Sequence, residues 1–330
     1  MAQPWIFSQL PTELLQQVLE DAACNKDTAL NLSLVSSWVR RWADPYLYHT
    51  VVLSTSRSLR SFKQALMNKP HSFPLTYVKH LGIFALGPVE TIHDVLHLCK
   101  GVNSLACGFS LPSFKQTHGI ETLHESLKNA KEQHLLGISC RDGWEPCLIG
   151  STITHLRVHL CSSPDNVQPL GQVDKDEVSW ERLSKLPRLT HLAVVYRPTL
   201  ALDIDVIFGK LQSLLEPMDQ EELGDHRGSG RIGHSSMELE PTIQLVLVQV
   251  SGMPSAQART IKSLNDAALK AGSHSLRIVA EPAPSSAVVQ WETAVRAGKS
   301  VWKDAEEVVR ERKQRLVQAA VPMSLQKVGN

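Results

Sequence analysis

One spacing recurs along this chain and constrains its fold more than any other feature. Leu75, Val78, Leu81 and Ile83 form an L-x-x-L-x-x-L-x-L pattern. The same spacing returns at Cys99, Val102, Leu105 and Cys107, and again at Leu186, Leu189, Leu192 and Val194. Shorter copies lie at Ile153-Leu156-Val158, Leu136-Ile138 and Leu276-Ile278. The alternating end of the pattern predicts a strand, because successive side chains on a strand point to opposite faces. Helix-like stretches stand between the copies, near 90–99, 120–131, 179–186, 204–215 and 256–271.

A strand-plus-helix unit repeated in this way predicts a leucine-rich-like α/β solenoid, in which each unit buries its apolar face against its neighbours. One set of strand side chains then packs inside and the other lines a surface. The copies are degenerate: their spacing is irregular, and only Cys161 falls where such repeats carry Asn or Cys. An ordinary α/β domain with a parallel sheet remains the alternative. Residues 217–241 are polar and glycine-rich, with acids from Asp219 to Asp225, and read as a mobile loop. Ile243 to Val248 resumes the strand texture, and Pro282 to Ser286 breaks it. A last helix from about Val288 to Val317, carrying Trp291, Val295, Trp302 and Val309, is expected to cap the end of the solenoid.

The N-terminus has a different texture. Pro11 suits the first position of a helix, where its missing N–H costs nothing, and Glu13 complements the positive helix start. Leu14 and Val18 lie one turn apart, as do Leu15 and Leu19. Asp27 is a plausible cap for a second helix reaching about Ala43, with Pro45 limiting it. Leu30, Leu34, Trp38 and Trp42 follow a four-residue spacing, and Leu32, Val35 and Val39 fill the neighbouring stripe. Together they span roughly half of the helix circumference. So wide an apolar face needs either the rest of the chain or a partner to cover it.

The 330 residues carry a formal net charge of +1, which argues against nucleic acid or an anionic membrane as the main partner. Hydrophobic residues make up 42% and charged ones 20%, as in ordinary folded proteins. No signal peptide or membrane span is read from the sequence, and six cysteines without a C-x-x-C pair, most in apolar company, suggest reduced, buried thiols in a cytoplasmic or nuclear protein.

Linear motifs propose no catalytic site and no cofactor. Gly228-Ser229-Gly230-Arg231-Ile232-Gly233 matches G-x-G-x-x-G, but it follows an acidic loop rather than a strand, so a flexible loop is the better reading. His124-Glu125-Ser126-Leu127-Lys128 has lysine where a second zinc ligand belongs. His155, His159 and Cys161 share strand parity and could point one way; core or groove-lining roles are expected, with no metal assigned. The basic run Arg310 to Arg315 follows Glu306 and Glu307 at helical spacing and reads as a solvated helix face.

With these residues laid out, the N-terminus resembles an F-box. Leu10-Pro11-Thr12-Glu13-Leu14-Leu15 matches its Leu-Pro-x-Glu-Leu-Leu start, and Leu32-Ser33-Leu34-Val35-Ser36-Ser37-Trp38 its Leu-x-Leu-Val-Ser-x-x-Trp segment. Pro45-Tyr46-Leu47-Tyr48 looks like the end of the box, and Ser37 stands where a basic residue is usual. The tryptophan-containing C-terminus and degenerate repeats are similar to those of F-box proteins of mushroom-forming fungi. The resemblance implies an F-box at 8–53, repeats at 54–282 and a capping helix with tail at 283–330. It implies a non-catalytic substrate receptor of an SCF-type ubiquitin ligase, engaged in ubiquitin-dependent protein degradation. A Skp-type adaptor would bind Leu10, Pro11, Leu14, Val18, Leu32, Val35 and Trp38, linking the chain to a cullin–RING ligase, and a protein substrate would meet the exposed face of the repeat strands and nearby loops. Three rival expectations stand beside it: Leu14, Val18, Leu32, Val35 and Trp38 pack internally against 59–66, the chain is a solenoid scaffold outside any ligase, or it is an enzyme whose site assembles only in space.

Overall fold

The computed structural model describes residues 10–141, 145–160, 183, 186, 188–198, 204–215 and 243–320. The loop expected at 217–241, the glycine motif within it, most of the 179–186 helix and Cys161 lie outside the described residues. Among the described residues the fold is mixed α/β with eight parallel strands. The chain divides into two compact units, residues 1–153 with 288–299, and residues 154–287 with 300–330.

The first unit opens with three helices, α1 (Thr12–Ala23), α2 (Lys26–Val35) and α3 (Ser37–His49). The one helix expected from Asp27 to Ala43 is therefore two. Ser36 is extended at φ −163° and ψ 164°, and its hydroxyl accepts from Val39 N, which stops α2 and caps α3 in one residue. Asn25 caps α2, accepting from Asp27 N and Thr28 N, so Asp27 lies inside the first turn. Pro45 sits inside α3 instead of limiting it. An interior proline costs roughly 3 kcal/mol. Packing of Tyr48 against Phe62 and Phe73 in the following turn works against that cost, and Asp44, buried beside the proline, is paired with Lys69.

The helices end at His49, and the chain passes directly into β1 (Thr50–Leu53). Then follow α4 (Ser56–Met67), α5 (Ser72–Tyr77), β2 (His80–Ile83), α6 (Val89–Leu98), β3 (Ser104–Cys107), α7 (Leu111–His118), α8 (Glu121–Leu127), β4 (Glu132–Leu135) and α9 (Ile138–Arg141). Strands β1 to β4 pair in chain order, all parallel, with Val51, Leu81, Leu105 and Gln133 in one register row. Equivalent hydrogen bonds recur at each step: Lys79 N to His49 O, Asn103 N to Lys79 O and Lys131 N to Asn103 O before the strands. Gly108 N to Ile83 O and Leu136 N to Cys107 O repeat the relation after them. Crossovers between parallel neighbours keep one hand, so an order that never reverses keeps the connecting helices on one face. Leu81, Ile83, Leu105, Cys107 and Leu135 are buried on that face.

The second unit repeats the scheme with β5 (His155–Leu160), β6 (His191–Tyr196), α10 (Ile204–Ser213), β7 (Leu245–Val250), α11 (Pro254–Lys270) and β8 (Ile278–Pro282). These strands also pair in order and in parallel.

The C-terminal helix expected from Val288 to Val317 is two helices, α12 (Ala287–Arg296) and α13 (Lys303–Ala320). They do not simply close an end. In the first unit, fully buried Trp291 of α12 lies on the second strand face, over Gly82 and His134, and donates to Ser104 Oγ at 3.0 Å. In the second unit, Trp302, Ala305 and Val309 pack with Ala193, Leu245, Leu247 and Val279 of the same face. The strand face expected to meet a substrate is thus filled by the chain's own helices. Gly82 shows how close the approach is, since a Cβ there would stand 2.7 Å from the Trp291 ring.

Candidate functional site

Two places gather side chains that a fold alone does not explain. The first is the surface of α1–α3. On α1 the two apolar stripes divide: Leu15 and Leu19 are half-buried, whereas Leu14 and Val18 are turned to water. On α2, Leu30 and Leu34 are exposed one turn apart. Relative exposure reaches 50% at Leu14, 51% at Val18, 82% at Leu34, 68% at Val35 and 40% at Trp38. Leu10 and Pro11 are exposed as well, and Leu32 is half-buried. The rival in which these residues pack internally against 59–66 does not hold for Leu14, Val18, Val35 and Trp38. Leu30 and Leu34, counted in the apolar spacing but not among the expected contact residues, belong to the same exposed set.

This surface is firmly mounted. The helices pack on one another, and Trp38 meets Trp42 edge to face at 6.0 Å between centroids. Asp44 accepts from Lys69 and lies 3.7 Å from Arg40. The Lys69 ammonium in turn sits 5.0 Å over the Phe73 ring. Burial, with the Asp44 carboxylate adding to it, pushes the Tyr48 phenol up. Lys26 reaches Glu292 of α12 at 3.6 Å, and Arg296 of α12 donates to Thr50 O at 3.0 Å, so the base of the module is tied to the first strand.

The second place is the face of β5–β8 under α13. His155, Arg157 and His159 share that face, as their strand parity predicts, while Cys161 lies outside the described residues. Arg157 is fully buried and donates to Gln249, which donates to Glu281 at 2.7 Å. Burial pushes the Glu281 carboxyl up, and burial together with Arg157 pushes the His159 imidazole down to about 4. His155 does not join His159 around an acid. It stacks instead on His191, with centroids 4.2 Å apart and planes 9° apart, and His191 Nε2 lies 3.1 Å from Glu306 Oε1. His191 is not singled out by the sequence, and Glu306 only as part of the solvated helix face before Arg310. The available signal is Thr154-His155-Leu156 repeated as Thr190-His191-Leu192 at paired positions of adjacent strands.

The remaining motif residues have ordinary roles. His124 bonds Cys147 O at 2.7 Å and Glu125 pairs with Lys100, so neither serves a zinc motif. Burial pushes the Cys99 thiol up to about 12, which leaves it inert. No helix among the described residues is long and apolar enough to cross a membrane. The chain matches no protein-family model and no curated protein sequence.

Proposed function

We propose that the chain is an F-box substrate receptor of an SCF-type ubiquitin ligase, and that α1–α3 dock on a Skp-type adaptor. One observation carries this reading: most of the apolar residues at the motif positions of the box are turned to solvent, Leu15 and Leu32 being half-buried. Leu10, Leu14, Val18, Val35 and Trp38 are all exposed on a module of three short helices. Exposed apolar residues grouped in this way mark an interaction surface. Leu30 and Leu34 extend it, and half-buried Leu32 contributes less.

The remainder of the chain then serves as a leucine-rich-like solenoid that presents a protein substrate. Supporting this are the strand order that never reverses and the hydrogen bonds that recur between successive repeats. Because α12 and α13 occupy the second strand face, substrate binding falls to the loops beyond the strands, where α/β sheets usually carry their sites. In this role the chain makes and breaks no bond itself; it brings a substrate to the ligase.

Purified full-length protein mixed with a purified Skp-type adaptor tests the proposal. A stable complex is expected, weakened by well over tenfold in Trp38→Ala, since a central aromatic anchor contributes roughly 2–4 kcal/mol. Absence of binding, or equal binding by the variant, would remove the ligase reading and leave a scaffold outside any ligase.

A further inference from the structure

We infer that His155, His191 and Glu306 form a binding site for a divalent transition metal, zinc in the first place, that clasps α13 to strands β5 and β6. The three ligand atoms lie within 4.8 Å of one another. Both histidines are the first residues of paired strands, and each is oriented by the threonine before it. Thr154 Oγ1 and Thr190 Oγ1 stand 2.8 Å from the Nδ1 atoms of His155 and His191. Trp302, fully buried, holds the His155 ring edge to face at 4.9 Å.

The hydrogen bonds around Thr190 fix which ring nitrogen faces Glu306. The Thr190 hydroxyl has one proton and donates it to Thr154 O at 3.1 Å. With that donation the hydroxyl oxygen accepts at Nδ1 of His191, in the neutral tautomer protonated there. Nε2 then presents a lone pair toward a carboxylate oxygen 3.1 Å away. Two lone pairs at that distance repel unless a cation lies with them. A proton on Nε2 would satisfy His191 and Glu306, but it gives no account of the matched Thr–His pair on β5. A metal ion accounts for all three residues. Nδ1 fixed by a hydrogen-bonding partner and Nε2 aimed at the ion is the usual outer-shell arrangement of a metal-bound histidine.

The donor set selects the metal. Two imidazoles and one carboxylate suit Zn2+ and its first-row neighbours, whereas Mg2+ and Ca2+ prefer oxygen ligands throughout. Tetrahedral zinc with bonds of 2.0–2.1 Å holds its donors about 3.3 Å apart. The His191–Glu306 pair already meets that; closing the site requires the His155 ring to turn out of its stack on His191 so that the two lone pairs converge, while Glu306, half-exposed with three rotatable bonds, follows. The fourth position is left to water. The residues come from β5, β6 and α13, so the ion would fasten the helix that covers the second face of this unit.

Full-length protein, treated with a chelator and dialysed, is titrated with ZnCl2 and separately with MgCl2 by calorimetry. One tightly bound zinc, no magnesium and a higher Tm with zinc are expected. Glu306→Gln changes a half-exposed residue and keeps the fold; it and His155→Ala should each weaken zinc binding at least tenfold and abolish the Tm rise. Thr190→Val, which removes a positioning group, should weaken binding by about tenfold. No stoichiometric zinc, or zinc bound equally by Glu306→Gln, overturns the proposal. The second result would place the ion on other histidines or on the exposed thiols of Cys24 and Cys147.

Discussion

At the scale of single residues, Trp291 shows how a large side chain can be both anchor and constraint. Its ring fills the space left by Gly82, and its indole N–H is satisfied by Ser104 although the whole side chain is buried. Trp291→Ala should cost about 3–5 kcal/mol in urea unfolding. Gly82→Ala should cost about 1–3 kcal/mol, because its new Cβ collides with the same ring. The two costs should not add: with Trp291 already truncated, the Gly82 substitution keeps only its clash with the Phe84 ring, 2.7 Å from the new Cβ, and costs less than in the intact protein. Histidines make a second case. Burial, with His49 beside it adding to the effect, pushes His80 down to about 4, and burial with Arg157 does the same to His159. In the unfolded chain both accept a proton near pH 6.5, so between pH 6.5 and 4 the unfolded state binds more protons. Stability should be level above pH 6.5 and fall as the pH drops toward 4, by on the order of 1–3 kcal/mol for each histidine. Urea midpoints at pH 7 and pH 5 measure the fall, and His159→Gln should shrink it.

At the scale of elements, the junction at Ser36 decides how α2 meets α3. Its hydroxyl bond to Val39 N is a simple cap, worth about 1 kcal/mol. Ser36→Ala should lower stability by that amount. It should also weaken adaptor binding, because Val35 and Trp38 stand on either side of the bend; comparing urea midpoints with adaptor affinity separates the two effects. The bend was not legible in the sequence, since the apolar spacing from Leu30 to Trp42 runs through it unbroken. Strands β2, β3 and β6 were legible, because the L-x-x-L-x-x-L-x-L spacing marks their buried parity. Helices α6, α10 and α11 were read nearly to their ends for the same reason. Helix α7, from Leu111 to His118, was missed; its apolar positions, Leu111 and Phe114, are too few to make a stripe. The fate of α12 and α13 was hidden for a different reason. Their pattern says that Trp291, Trp302 and Val309 must be buried, but periodicity does not say against what. The second strand faces supply that answer only once the strands are paired.

At the scale of the whole molecule, the two candidate sites differ in how they could be found. The apolar surface of α1–α3 was named residue by residue through the resemblance to an F-box, and geometry adds that most of those residues face water. Leu32 shows the limit of pattern matching, since a motif position can be half inside. The His155–His191–Glu306 cluster joins a pair of strand starts to a helix more than a hundred residues later in the chain, so only folding reveals it. Both readings assign the chain to binding rather than bond-making. The central claim is the adaptor surface, and affinity for a purified Skp-type adaptor, measured by calorimetry on the full-length chain, tests it most directly. The account predicts a one-to-one complex with Kd of ~1 μM or tighter, weakened more than tenfold by Trp38→Ala and by Leu14→Ala with Val35→Ala. A chain that shows no heat of binding to the adaptor, or binds it equally well with Trp38 and Val35 removed, would contradict it.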